Sequence, residues 1–205
     1  MKKLHQLICS SLLLLGSASA IAADDTSTPK AAPQATTPAD ATAAPAKKAR
    51  ETYENKEKNY SINYPGEWQK KEMPKLDLVL FAPSKDATAQ PQASMNIVSE
   101  KVDTAVTLDQ FYSESITNLS SALKEVHIEK NGDSKLNGVP SKWVVYTHVM
   151  QGIKFEVLQY FMVANGTIYL ITFSATADAF DGYRAEFEQT ANSFRLLTSD
   201  APKAS

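Results

Sequence analysis

Three long stretches near the C-terminal end restrict the fold more than any other feature of this sequence. Trp143–Val149, Ile153–Val163 and Thr167–Ala175 are rich in β-branched and aromatic residues, and Gln151-Gly152 and Asn165-Gly166 join them. Such composition fits a pleated, largely buried surface. Asn-Gly suits a two-residue type I′ turn, in which both residues need positive φ. The three segments are therefore expected to form an antiparallel meander.

Shorter strands are expected upstream. Tyr60, Ile62 and Tyr64 alternate with Ser61 and Asn63, and Pro65-Gly66 closes the run before Trp68. Leu76–Phe81 and Ser94–Val102 read as further strands, with a polar loop from Lys85 to Pro91 between them. Val126–Lys130 is strand-like, and Asn131-Gly132 and Asn137-Gly138 are expected to punctuate the turns that follow. Phe194–Leu197 reads as a short closing element.

Two helices interrupt the strands. Thr107 with Gln110 has the spacing of a capping box. Leu108, Phe111, Tyr112, Ile116, Leu119 and Leu123 then recur as one apolar stripe. In the second helix, Asp178 is the expected cap, and Phe180, Tyr183, Phe187 and Ala191 share a face. Adjacent bulky residues such as Val144-Val145 and Tyr160-Phe161 require apolar cover on both sides of the sheet. The expected fold class is α+β: an antiparallel sheet flanked by helices, an α/β/α sandwich.

The N-terminus reads as an address. Lys2 and Lys3 precede an apolar run from Leu7 to Leu15, followed by small residues through Ala23. Ala18-Ser19-Ala20 and Ala20-Ile21-Ala22 both fit a peptidase site, and the run falls short of the about 20 residues a membrane span needs. Residues 1–22 are thus expected to be a signal peptide cleaved near Ala20 or Ala22. Cys9 lacks a small residue before it, because Ile8 stands there, so no lipid attachment is expected. It is the single cysteine of the 205-residue chain, so the mature protein is expected to have no thiol chemistry or disulfide.

Residues 23–52 are Ala, Pro and Thr rich and are expected to form a disordered linker; 199–205 form a similar tail. The folded domain is expected over 53–198, roughly 145 residues, enough for one core. Loss of Lys2 and Lys3 leaves 19 basic against 23 acidic residues, which gives no electrostatic footprint for nucleic acid.

No catalytic constellation is apparent. His127 and His148 lie in expected strands without a metal-spaced partner. Asp178 and Asp181 are explained by the start of the second helix, where negative charge suits the positive end of the helix dipole. Glu54, Glu57, Glu67 and Glu72 scatter around the first strand without forming a compact calcium loop. Trp68, Trp143, Tyr146, Phe155, Tyr160, Phe161 and Tyr169 are aromatics suited to a core, or to an apolar groove. No catalytic residue, cofactor, metal or specific partner surface is assigned.

Tyr60–Trp68, the Thr107-Leu108 helix start, Leu136–Ser141, Thr167–Ala175 and Asn192-Ser193-Phe194 are specific in combination. With these segments the sequence resembles the PsbP-like family, which includes the photosystem PsbP subunit, bacterial DcrB-type proteins and eukaryotic Ran-binding relatives. Together the segments span about Asn59 to Leu197. The resemblance implies an antiparallel sheet between helices, and binding or assembly roles without a shared catalytic motif. The expectation is a non-enzymatic module in the periplasm or secreted, not integral to the membrane when mature, with a protein or envelope component as partner. Alternatives are a small-molecule carrier with an aromatic cavity lined by Trp143 and Tyr160, and a small envelope hydrolase built on paired carboxylates.

Overall fold

The computed structural model describes residues 48–84 and 91–197. The expected signal peptide, the linker up to residue 47, most of the Lys85–Pro91 loop and the tail lie outside the described residues.

The meander has four strands, one more than the sequence suggested. β6 (Lys124–Leu136), β7 (Val139–Met150), β8 (Ile153–Ala164) and β9 (Thr167–Thr176) pair in succession. Asn137-Gly138, Gln151-Gly152 and Asn165-Gly166 connect them, and all six residues have positive φ. These are the left-handed pairs that match hairpin twist. Asn131-Gly132, expected in a turn, instead lies inside β6. Its glycine has a packing role, because Gly132 is opposite Trp143 and its backbone lies under the indole.

The meander joins β5 (Ala93–Lys101), β4 (Leu78–Phe81) and β3 (Gln69–Lys70), giving an antiparallel sheet ordered β3-β4-β5-β9-β8-β7-β6. A second sheet of three strands pairs β2 (Tyr60–Tyr64) with β1 (Glu51–Asn55) and β10 (Arg195–Leu196). β1 begins at Glu51, ahead of the expected boundary at Tyr53, because its backbone pairs in register with β2.

Each helix takes one face of the large sheet. Val98, Val144, Phe161 and Leu170 pack with Phe111 and Leu119 of α1 (Leu108–Ala122). Their neighbours Ile97, Val145, Tyr160 and Ile171 point the other way, toward Phe180, Phe187 and Ala191 of α2 (Phe180–Asn192). Strand alternation thus feeds two cores from one sheet. The molecule is sheet-dominated, so a sandwich of equal layers describes it only roughly. The layer on the α2 side also contains the small sheet, with Tyr60 and Phe194 stacked at 5.6 Å.

The two helix starts differ. At α1, the Gln110 backbone N–H donates to Thr107 Oγ1 (3.2 Å) and the Thr107 N–H donates to Gln110 Oε1 (3.0 Å), completing the capping box. At α2 the cap is Ala179, without a side-chain bond, and not Asp178. Backbone bonds from Ala179 to Thr176 (2.9 Å) and from Gly182 to Ala179 (3.0 Å) lead the chain directly from β9 into the helix, so no side chain is needed there.

Candidate functional site

A cleft of about 390 Å³ opens on the α2 side of the sheet, where the first turn of α2 meets β6, β7 and β8. Val145 and Thr147 of β7 contribute to its lining, with Glu129 and Lys130 from β6 and Lys154 and Glu156 from β8. Asp181 and Arg184 approach from α2.

Glu129 reaches the cleft because of a β-bulge. Ile128 is opposite Tyr146 and Lys130 is opposite Val145, so Glu129 is an extra residue in β6. An extra residue re-aims the side chains around it. The pairing slips once more between Lys124 and His127, where Glu125 has φ 52°. β6 is the outermost strand of the sheet and is exposed along most of its length.

The cleft carries both signs of charge. Arg184 Nη2 lies 3.3 Å from Glu156 Oε1 and 3.2 Å from Asp181 Oδ1, and so bridges two carboxylates. Its guanidinium sits 4.9 Å from the centroid of the buried Phe180 ring. Burial raises the Glu156 carboxyl above its usual range; Asp181 and Glu129 add to the rise, while Arg184 opposes it.

The histidines do not meet there. His127 is exposed on β6 opposite Thr147, whereas His148 is buried on the other face and stacked with Phe155 at 5.7 Å. Of the first-strand acids, Glu54, Glu57 and Glu72 are exposed and Glu67 is half-buried. Among the described residues, no group of three or more His, Cys, Asp or Glu is placed to hold a metal ion. Asp181 enters the cleft and Asp178 does not line it.

The aromatics pack into the cores. Trp68 meets Tyr183 and Phe187 edge-on, each at 6.2 Å. Tyr146, Phe155, Phe161 and Tyr169 are buried, as is Tyr160, while half-buried Trp143 packs against the α2-side cluster. Arg184, Glu156, Glu129 and Lys130 were not singled out by sequence. Each is an ordinary charge in a strand or helix until bulge and turn bring them together.

A second polar cluster ties the small sheet to the large one. Asp77 accepts hydrogen bonds from Tyr60 Oη (3.1 Å) and from the Ser99 hydroxyl, and Tyr53 Oη donates to its backbone carbonyl (2.8 Å). Burial raises the Asp77 carboxyl, while the two hydroxyls and Lys58 pull the other way.

With this architecture established, the sequence matches the PsbP-like protein family over residues 27–196, and the chain belongs to that family. Similar solved structures include cyanobacterial PsbP (CyanoP) from Synechocystis sp. PCC 6803, with TM-score 0.57 and 14% identity, covering 72% of this chain and 92% of that one. LpqN of Mycobacterium tuberculosis, described as involved in cell envelope biogenesis, gives 0.55 and 10%, covering 67% and 83%. The Saccharomyces cerevisiae Ran-binding protein Mog1p gives 0.51 and 10%, covering 73% and 96%. These likenesses establish the shared fold. No curated protein sequence matches. No helix among the described residues is long and apolar enough to cross a membrane.

Proposed function

We propose that this chain is a non-enzymatic binding or accessory module, exported to the periplasm or cell envelope, that engages a protein partner through the charged cleft. The observation that carries this reading is the bulge at Glu129, which presents charges of both signs beside an exposed sheet edge. Patterned charge around a concavity gives orientation and fast encounter to a macromolecular contact. The leader read at residues 1–22 supports export. Family membership supports an accessory role, as do the involvement of LpqN in cell envelope biogenesis and the Ran-binding of Mog1p.

The test is site-specific photocrosslinking in the envelope of expressing cells, with the probe at Lys154 inside the cleft and a control probe at Lys101. A reproducible adduct from position 154 that disappears in an Arg184→Glu background is expected. Equal labelling from both positions, or none from 154, refutes the cleft as the contact.

The raised carboxyl of Glu156 beside Asp181 and Glu129 favours a hydrolase as the second reading. Against it, Arg184 already bridges Glu156 and Asp181 and opposes the rise at Glu156. A panel of nitrophenyl glycosides and esters separates the two readings. Turnover lost in Glu156→Gln would establish the enzyme, and an inactive wild type removes it.

A further inference from the structure

The outer edge of the large sheet is free along β6, a strand of 13 residues, whereas β3 at the other end has two. The register decides which backbone groups of that edge face outward. Asn137-Gly138 is a two-residue turn with both φ positive, so Leu136 and Val139 exchange hydrogen bonds, and every second pair beyond them does the same. Ser134, Gly132 and Lys130 therefore bond to β7. The N–H and C=O groups of Asn131, Asp133 and Lys135 point away from the sheet. Ahead of Lys130 the slips in pairing interrupt this pattern, so the regular free edge is short. Such an edge takes one brief extended segment and does not template a longer one.

A second copy of β6 fits it poorly. Laid antiparallel with Asn131–Lys135 fully overlapped, the strand brings Asp133 opposite itself, and like charges so placed disfavour the pair. The side chains along the edge describe a different segment. Lys130, on the cleft side, and Lys135, on the other face, enter none of the ion pairs among the described residues. Two carboxylates of an antiparallel neighbour, spaced as Lys130 and Lys135 are, would pair with both. Between them, the neighbour's residue beside Gly132 meets no side chain from the glycine, only the half-buried indole of Trp143 lying across it. An apolar or aromatic side chain there covers the indole and is itself buried.

We propose that β6 receives an extended segment of a protein partner as an added antiparallel strand at Asn131–Lys135, with carboxylates against Lys135 and Lys130 and an apolar side chain on Trp143. Main-chain bonds supply the attachment and the side chains the selectivity. The inference rests on reading the chain as a partner-binding module, and it names the route of approach, along the strand whose bulge shapes the cleft.

The experiment titrates the 15N-labelled full mature chain with the peptide acetyl-Glu-Thr-Thr-Phe-Thr-Glu-amide, whose acids fall opposite Lys135 and Lys130 and whose Phe falls beside Gly132. NMR is expected to show shifts and slowed hydrogen exchange at the amides of Asn131, Asp133 and Lys135, together with a shift of the Trp143 indole. The same peptide with Lys at both ends should bind about tenfold more weakly, the size of two exposed ion pairs. A peptide N-methylated at its third and fifth residues keeps every side chain but loses the donors that face β6, and it should not bind. Asn131→Pro removes one outward N–H without touching the β6–β7 ladder and should weaken the parent peptide about tenfold. A thermal melt verifies the fold of that variant, and the N-methylated peptide carries the same test with the protein unaltered. Binding that survives N-methylation, or shifts confined to Lys154, Glu156 and Arg184, overturns the added strand and leaves the cleft as the contact. Absence of binding by the parent peptide also overturns it, and the crosslink from position 154 then judges the cleft on its own.

Discussion

The indole of Trp143 lies across the backbone of Gly132 so closely that a Cβ on the glycine would sit 3.0 Å from Nε1. The two residues face each other across the β6–β7 ladder, and Trp143 packs onto the core on the α2 side. This position needs glycine for space and not for φ, since Gly132 is not among the positive-φ residues.

Gly132→Ala is therefore expected to destabilise the fold by about 1–3 kcal/mol, the usual cost of overpacking. Urea unfolding measures it. Trimming the indole in Trp143→Leu should absorb most of the added methyl, so the double variant should be less destabilised than the sum of the singles. Strict additivity would mean that the contact is not what excludes a side chain at 132.

Asp77 gives a prediction with a definite sign. Its carboxyl is raised in the folded protein, mainly by burial, so the folded state holds this proton more tightly than the unfolded chain does. Stability from this group is then greatest at acid pH and declines as pH rises through the window just above the ordinary aspartate range. Asp77→Asn keeps an acceptor for Tyr60 and Ser99 and cannot ionise. Relative to wild type, it should gain stability between pH 3.5 and pH 7, by comparison of urea midpoints at the two values. A difference that is flat with pH would show that the carboxylate is not penalised in the fold.

The two helix starts illustrate what a sequence can announce. Thr107 and Gln110 satisfy backbone groups from side chains, so residue type and spacing carry the signal. At Ala179 the entry is made by main-chain bonds that any residue could make, and Asp178 was a misleading cue. Thr107→Ala should cost about 1 kcal/mol, the usual loss of a side-chain cap. Thermal unfolding checks this, and an unchanged midpoint would contradict the capping box at α1.

The same distinction governs the rest of the molecule. The meander and both apolar stripes were legible because periodicity and turn chemistry are local. The strand role of Asn131-Gly132 was not, because the reason for that glycine lies eleven residues away at Trp143. The cleft was least legible of all. Glu129 enters it through a slip in pairing register, and Arg184 meets Glu156 across a separation of 28 residues.

That ion pair can be tested without knowing the partner. At Glu156 the Arg184 guanidinium opposes the rise caused by burial, Asp181 and Glu129. Removing it in Arg184→Ala should raise the Glu156 carboxyl further, seen as a shift to higher pH of its side-chain 13C titration. Arg184 retains 35% side-chain exposure, so solvent screens the pair and the stability cost should stay within about 1 kcal/mol. Arg184→Lys keeps the charge but loses the planar fork that reaches both carboxylates, and should give an intermediate titration. If Glu156 titrates identically in all three proteins, Arg184 does not set the charge state of the cleft. A partner contact that depends on Arg184 would then have to act through shape rather than through Glu156.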